Sequence, residues 1–239
     1  MMIRSRFWSI VIWCCTVLAV FVLPLPAAAQ GTAREHVFPQ FADGRFSDGT
    51  FYKSTLMITP SFSGATCTFR LVGMTTSFAS AGVDSLFTIT IADEGFFVGG
   101  TPGTQSFQSG YATLTCTNFV DALIVYSFYS ASGTKLSEAT VFSADESYTA
   151  NVIMDHTGGA RLGLAIANDT DLPRTYTITL KNSAGAELTT GSVTVPARSA
   201  LARFIDEVMA VPVSVGLLAI RAEDYSQFSS RTIRYGSPR

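Results

Sequence analysis

The amino-acid sequence predicts an all-β protein with two tandem immunoglobulin-like β-sandwich units, one short helix in the second unit, and a signal-peptide helix ahead of both. Three observations support this. Apolar residues alternate with serine and threonine over short stretches, which is the period of a half-buried strand. Turn sequences separate these stretches at intervals of about ten residues, as in sandwich folds. The second half of the chain also repeats the pattern of the first.

The N-terminus has the three parts of a secretory signal peptide. Arg4 and Arg6 form a positive start, an apolar run covers 7–25, and the small residues 27–29 offer a cleavage site. A retained membrane anchor is the alternative, since an apolar run of about 18 residues can span a bilayer. The alanine triplet and the prolines before it favour cleavage. Residues 1–29 are therefore predicted to be removed, leaving a periplasmic, cell-surface or extracellular protein.

The charge of the mature chain argues against a nucleic acid partner. Residues 30–239 carry 14 lysines and arginines against 18 acidic residues, a net charge of −4, and no run of basic residues. Nucleic acid binding needs cations that neutralise phosphates, so that class of function is not expected. A membrane is expected as a partner only through an uncleaved signal segment.

Four stretches of the first half match four stretches of the second half in the same order. The pairs are 37–44 with 152–159, 54–61 with 161–168, 66–71 with 175–180, and 110–116 with 216–222. Four matches in one order are hard to obtain by chance. The chain is therefore interpreted as two copies of one unit, unit 1 over 34–144 and unit 2 over 145–239.

Cys67 and Cys116 are the cysteines that remain once the signal peptide is removed. An even number of cysteines in an exported chain predicts a disulfide, and two buried free thiols are the alternative. The matching positions of unit 2 hold Tyr176 and Ala222, a large residue and a small one. The hypothesis is that both pairs are neighbours in space, bridged in unit 1 and packed in unit 2.

Individual strands and turns follow from the local pattern. Residues 175–180 alternate threonine with apolar residues, and 123–129 are apolar nearly throughout, which predicts a central strand. Residues 131–133 and 183–185 have the composition of turns between strands. A strand over 135–144 belongs either to unit 1 or to the sheet of unit 2, and the sequence leaves both open.

One helix is predicted after the strand that Pro196 ends, with Ser199 as its cap. Apolar side chains then follow the spacing of one helix face, at Leu201, Phe204, Ile205, Val208 and Met209. This helix is expected to close one end of the second sandwich, with its apolar face in the core.

Three stretches, 36–44, 155–168 and 195–206, resemble a tandem β-sandwich module that recurs in exported, largely uncharacterised proteins of environmental bacteria. The similarity covers nearly all of the mature chain and is stronger in the second unit. The resemblance implies a surface or extracellular module. It implies no chemistry at particular residues.

Signatures of catalysis and metal binding are weak. Ser132 and Lys135 fit an S-x-x-K pattern, but they lie in a predicted turn and lack the partner motifs of penicillin-recognising enzymes. His36 and His156 hold non-equivalent places in the repeat, and a metal site would need further ligands. Asp155 adjoins His156, but the chain has no G-x-S-x-G motif for a nucleophile. We therefore predict no catalytic residue, no metal and no cofactor.

Two Asp-Gly pairs and one glycosylation sequon are the remaining short motifs of the sequence. The pairs Asp43-Gly44 and Asp48-Gly49 do not have EF-hand spacing and are predicted to mark turns rather than a calcium loop. Residues 168–170 form a glycosylation sequon, which matters only in a host that glycosylates such sites.

Aromatic residues provide the remaining indication of a binding surface. Phe96, Phe97, Tyr126 and Tyr129 place rings on both faces of their strands, where one face could stack on a sugar or a protein. The alternative is that the other unit covers that face. The favoured function is a non-enzymatic exported interaction or structural module, whose partner is an envelope or extracellular protein or a polysaccharide. A carbohydrate-binding envelope protein is the second hypothesis, and a hydrolase with an unrecognised site is the third.

Overall fold

A computed structural model describes residues 33–144 and 147–223, together with the backbone of 233–236. The predicted signal peptide lies outside these residues. Within the described part of the chain the fold is all-β, with two single 3₁₀ turns, over Thr157–Gly159 and Ile205–Glu207, as its helical elements. No helix there is long and apolar enough to cross a membrane.

Nine strands form the first half of the fold. They are β1 (Ala33–Arg45), β2 (Phe51–Pro60), β3 (Ala65–Val72), β4 (Thr76–Ser77), β5 (Val83–Asp84), β6 (Leu86–Ile91), β7 (Phe97–Gly100), β8 (Gln108–Tyr129) and β9 (Lys135–Phe142). Apart from the β4–β5 pair, they belong to one curled sheet in the order β6-β3-β8-β1-β2-β7, with β9 also paired to β8. The long β8 joins two parts of this sheet, because its first half lies between β3 and β1 and its second half pairs with β2 and β9. Alternate side chains of these strands enclose one core, which includes Phe38, Phe41, Leu56, Phe69, Leu114 and Ile124.

Seven strands lie in the described part of the second half. They are β10 (Thr149–Asp155), β11 (Gly163–Asn168), β12 (Arg174–Lys181), β13 (Glu187–Val195), β14 (Ser199–Phe204), β15 (Val215–Ala222) and β16 (Ile233–Gly236). They make a four-stranded sheet, β10-β15-β12-β13, and a three-stranded sheet, β14-β11-β16. A second core separates these sheets and includes Met154, Leu164, Ile166, Ile178, Leu180 and Leu218.

The two halves have the same strand order. The path β1-β8-β3-β6 of the first half corresponds to β10-β15-β12-β13 of the second, and β7-β2-β8 corresponds to β14-β11-β16. The four pairs of matched sequence stretches lie on β1 and β10, β2 and β11, β3 and β12, and β8 and β15. In the second half, β15 and β16 therefore take the places that the two halves of β8 take in the first.

The predicted disulfide is confirmed. Cys67 and Cys116 are direct partners across β3 and β8, and a bridge joins their sulfurs, with the Cα atoms 4.0 Å apart. Tyr176 and Ala222 are direct partners across β12 and β15, and both are buried. The internal repeat predicts that these two pairs occupy equivalent positions, and they do. A bridge occupies the site in one half, and a tyrosine packed over an alanine occupies it in the other.

The strand at 135–144 pairs with β8 from Leu123 to Tyr129, so its hydrogen bonds belong to the sheet of the first half. The amide of Ala144 then donates to the carbonyl of Val37 at 2.8 Å, which ties the strand's end to β1. The turns predicted at 131–133 and 183–185 are both present, with left-handed glycines at Gly133 and Gly185.

The helix predicted over 199–209 is wrong. Residues Ser199–Phe204 form β14, which pairs with the whole length of β11, and only the turn Ile205–Glu207 is helical. As a helix, this segment would have left that edge of β11 without hydrogen-bond partners. Ile205 and Met209 are both in the core, but the strand and the turn after it place them there.

Candidate functional site

The four aromatic residues singled out in the sequence do not form one surface. Phe96 is 74% exposed, whereas Phe97 packs half-buried against the first core beside Phe78. Tyr129 stacks on Phe51 at a ring-centroid distance of 4.9 Å. Tyr126 belongs to a different aromatic group, which borders a cleft.

That group, called the aromatic cluster below, has five rings where β2 begins and β8 ends. Its members are Phe46, Tyr52, Phe107, Tyr126 and Phe128. Phe46 stacks on Phe107 at 4.2 Å, and Tyr52 lies 4.7 Å from Phe128 and 6.1 Å from Tyr126, measured between ring centroids. Burial raises the pKa of both tyrosine hydroxyls. Four of the five rings are missing from the sequence-based prediction.

The turn between β1 and β2 positions Phe46. The amide of Phe46 donates to the carbonyl of Thr50, and Gly49 takes the left-handed conformation that closes the turn. The carboxylate of Asp48 accepts bonds from the amide and the hydroxyl of Thr50, which lower its pKa. The Asp48-Gly49 pair is therefore a turn, as predicted.

The first Asp-Gly pair is different. Asp43 is buried at the end of β1, where its carboxylate accepts from the hydroxyl of Thr76 at 2.5 Å and the amide of Gly103 at 3.0 Å. Gly44 has a φ of 105°, and a Cβ there would lie 2.5 Å from the carbonyl oxygen of Ser106. The glycine therefore allows the segment that carries Phe107 to lie directly against β1.

A cleft of about 500 Å³ separates the aromatic cluster from β11 and β14. The first half of the chain contributes rings of the cluster and polar side chains, namely Phe46, Tyr52, Phe107, Tyr126, Gln40, Ser137 and Glu138. The second half contributes backbone and side chains at Gly163, Leu164, Ala165, Ala202, Arg203, Phe204 and Glu207. The volume and the mixture of rings with a few polar groups are typical of a small-molecule or side-chain site.

The acids of the cleft are already paired. Glu138 accepts bonds from Lys135 and Ser127, which lower its pKa, and Glu207 accepts from Arg161 at 3.2 Å. Among the residues that the structure describes, Arg203 makes no ion pair. A cation therefore remains available at one wall of the cleft, opposite the rings.

The histidines do not form a catalytic constellation. Nε2 of His156 accepts from the amide of Leu162 at 3.0 Å, and the carboxylate of Asp155 bonds to Thr157. His36 is buried on β1 in the other half. No group of three metal-ligating side chains occurs within 33–144 and 147–223.

The two residues of the S-x-x-K pattern have structural contacts. Ser132 lies in the β8–β9 turn and bonds to Ser130, and Lys135 forms an ion pair with Glu138.

The polar residues of the two stretches 155–168 and 195–206 bond to each other. At one end of the β11–β14 pair, Arg161 binds both carboxylate oxygens of Asp206, at 2.7 and 3.0 Å, and lies 3.8 Å above the ring of Phe204. At the other end, Arg198 reaches Asp169 and Asp171, both at 2.8 Å. These side chains hold the ends of two paired strands.

Asn168 makes the other polar contact at that end. It is fully buried, and its side-chain amide donates to the carbonyls of Leu172, Val195 and Pro196 at 2.8 to 3.1 Å. Its side-chain oxygen accepts from the amide and hydroxyl of Thr170. N-glycosylation of a sequon joins the glycan to this side-chain nitrogen. Because the nitrogen is buried, the folded protein does not offer the sequon for glycosylation.

The two halves of the fold meet at a small apolar contact that contains Val37, Tyr111 and Ala167. The hydroxyl of Tyr111 donates to the carboxylate of Asp169 at 2.6 Å, and the same oxygen accepts from Arg198 at 2.8 Å. The pKa of Tyr111 is raised, first by burial and then by this hydrogen bond. The contact fixes the second half against the first at the end of the β11–β14 pair where Arg198 lies.

We expect the Tyr111→Phe variant to lose about 1.5–3 kcal/mol of unfolding free energy, because a buried hydrogen bond to a charged group is removed. The raised pKa gives this difference a pH dependence. The contribution of the hydroxyl is complete below the ordinary tyrosine pKa of 10.0 and is lost as pH rises further. Chemical denaturation should show a large gap between variant and wild type at pH 8 that narrows above pH 10; a constant gap would contradict the assignment.

Comparisons with protein-family models, with curated proteins and with solved structures each found no match.

Proposed function

We propose that the chain is an exported, non-enzymatic interaction module of two tandem β-sandwich units, and that it binds its partner in the cleft between them. The cleft supports this because rings from four separate segments converge on it, at 46–52, 107, 126 and 204. Aromatic side chains contribute most of the energy at many recognition sites. The disulfide is compatible with an oxidising compartment, as an exported module requires.

A carbohydrate is the second candidate partner. The faces of Tyr52 and Tyr126 border a cleft that also offers Gln40, Ser137 and the cation of Arg203. Stacked rings with a few hydrogen-bonding groups suit a sugar, because its ring has apolar faces and polar edges. This candidate predicts binding to polysaccharide rather than to protein.

The test is a binding assay with mature oxidised protein, residues 30–239, against fractionated envelope proteins and polysaccharides. The Tyr52→Ala/Tyr126→Ala variant should lose binding by about tenfold or more, because it removes two central rings. The Tyr52→Phe/Tyr126→Phe variant keeps the rings and separates stacking from hydrogen bonding. Phe96→Ala is the control, since that exposed ring lies outside the cleft.

Thermal unfolding of each variant checks that the fold is intact. Ring-dependent retention on polysaccharide supports the carbohydrate candidate, and ring-dependent retention of one protein supports a protein partner. Binding that survives removal of both rings would reject the cleft as the site.

A further inference from the structure

Among the residues that the structure describes, the strand β6 ends the first sheet and pairs on one side only, with β3. Because the amide of Leu71 donates to the carbonyl of Ser85 at 2.7 Å, odd-numbered residues of this segment bond towards β3. In an antiparallel ladder the alternate residues then point their amides and carbonyls away from the partner strand. The outward groups of β6 belong to Leu86, Thr88 and Thr90.

This edge lacks the features that normally prevent pairing with another chain. The sequence Leu86-Phe-Thr-Ile-Thr-Ile91 has no charge, proline or glycine and consists of residues with high β-propensity or apolar character. Other edge strands of the described residues carry such features. Two are only four residues long, β7 and β16. The rest contain charged residues: β9 has Lys135 and Glu138, β10 ends on Asp155, β13 contains Glu187, and β14 contains Arg203.

A groove of about 440 Å³ runs beside the β6 edge. Phe78, Phe87 and Phe97 line it, and Ala79 and Ser80 in the opposite loop hold left-handed φ angles of 47° and 68°. Two consecutive non-glycine residues rarely adopt this conformation, which recurs at binding sites. The edge therefore borders a groove whose apolar lining is the half-buried ring of Phe97 together with the edges of the core rings Phe78 and Phe87, where alternate side chains of an added strand can be placed.

Acidic residues flank the strand at both ends. Asp84 precedes it and Asp93 and Glu94 follow it, all exposed, and none of them makes an ion pair among the residues the structure describes. If two copies paired antiparallel about Ile89, Asp84 of one would lie opposite Glu94 of the other. Like charges in that position are destabilising, so self-pairing in this register is disfavoured.

We propose that the β6 edge binds an extended segment of a partner protein as an additional strand. The segment has an uncharged core with apolar residues at alternate positions and lysine or arginine at both ends. The outward amides and carbonyls of Thr88 and Thr90 supply the main-chain bonds, the groove takes the apolar side chains, and the flanking acids select the basic ends. This site shares no lining residue with the cleft and does not depend on the function proposed for it.

The test uses two fluorescent peptides with one core of three Val-Thr pairs, flanked at each end by two lysines or by two glutamates. Binding to mature oxidised protein is measured by fluorescence anisotropy. We expect the lysine-flanked peptide to bind at least about tenfold more tightly. Asp84→Asn/Asp93→Asn should reduce this preference, because it removes two of the negative charges that select the basic ends. The asparagine oxygens can keep the local hydrogen bonds, so the loops around the strand stay in place.

Two variants at one position test the main-chain pairing. Thr88→Pro removes an outward amide, and edge strands tolerate proline at such positions. This variant should bind the lysine-flanked peptide about tenfold or more weakly. Thr88→Val keeps the amide and should bind within about twofold of wild type; thermal unfolding verifies the fold of both. Equal binding of the two peptides, unchanged binding by Thr88→Pro, or no binding of either peptide would overturn the proposal. So would a dimer in light scattering that Thr88→Pro abolishes, because the edge would then bind a second copy.

Discussion

The Asn168→Ala variant is expected to lose about 2–3 kcal/mol of unfolding free energy relative to the wild type, because a fully buried side-chain amide that donates to three carbonyls is removed. The amide of Asn168 serves the carbonyls of Leu172, Val195 and Pro196, and its oxygen orders Thr170. An alanine leaves the buried carbonyl of Val195 without this donor and the amide of Thr170 without this acceptor. Equilibrium denaturation at neutral pH measures the loss.

Matched variants separate this effect from a general loss of a polar group. Asn151→Ala changes the same residue type on the exposed face of β10 and should alter stability by less than about 0.5 kcal/mol. Thr170→Ser keeps the hydroxyl and the sequon, and should retain more stability than Thr170→Val. A small effect of Asn168→Ala, or a glycan on Asn168 of the folded protein from a glycosylating host, would contradict the buried network.

The core of the fold could be predicted from the sequence wherever a pattern is local or repeated. The alternation in 175–180 gave a strand, and the repeat placed Cys67 opposite Cys116 and Tyr176 opposite Ala222, as the structure has them. The repeat succeeded because equivalent positions in two copies must satisfy the same packing, even with different residues.

The helix over 199–209 failed because a pattern of five apolar residues does not reveal what lies beside it. Residues 199–204 form a strand because pairing with the edge of β11 satisfies their backbone hydrogen bonds. Strand pairing is a long-range contact, and neither capping by Ser199 nor helical spacing contains information about it.

The aromatic cluster escaped prediction for a related reason. Phe46, Tyr52 and Phe107 belong to a turn, a strand start and the residue before β8, and none of these segments has an unusual aromatic pattern. They meet because Gly44 lets two backbones approach closely, and the sequence signal for this was only an Asp-Gly pair interpreted as a turn. Arg161 and Asp206 belong to the two stretches that carry the family resemblance, and in the structure these two residues form an ion pair with each other.

The Cys67→Ala/Cys116→Ala variant is expected to lose about 4 kcal/mol of stability under oxidising conditions, because the bridge closes a loop with a sequence separation of 49. The bridge joins central strands of the first core, so its loss also removes contacts between buried side chains. Thermal and chemical unfolding of oxidised protein measure the difference, and adding a reductant to the wild type should reproduce much of it.

Thr68→Ala/Thr115→Ala is the matched control for this experiment. These residues are the next directly opposed pair on β3 and β8, they face solvent, and they carry no bridge, so their removal should cost under about 1 kcal/mol. Because Tyr176 and Ala222 fill the equivalent site by packing alone, a Cys67→Tyr/Cys116→Ala variant should regain part of the lost stability. Equal stability of the double alanine variant and the wild type would show instead that packing in the first half suffices without the bridge, as it does in the second.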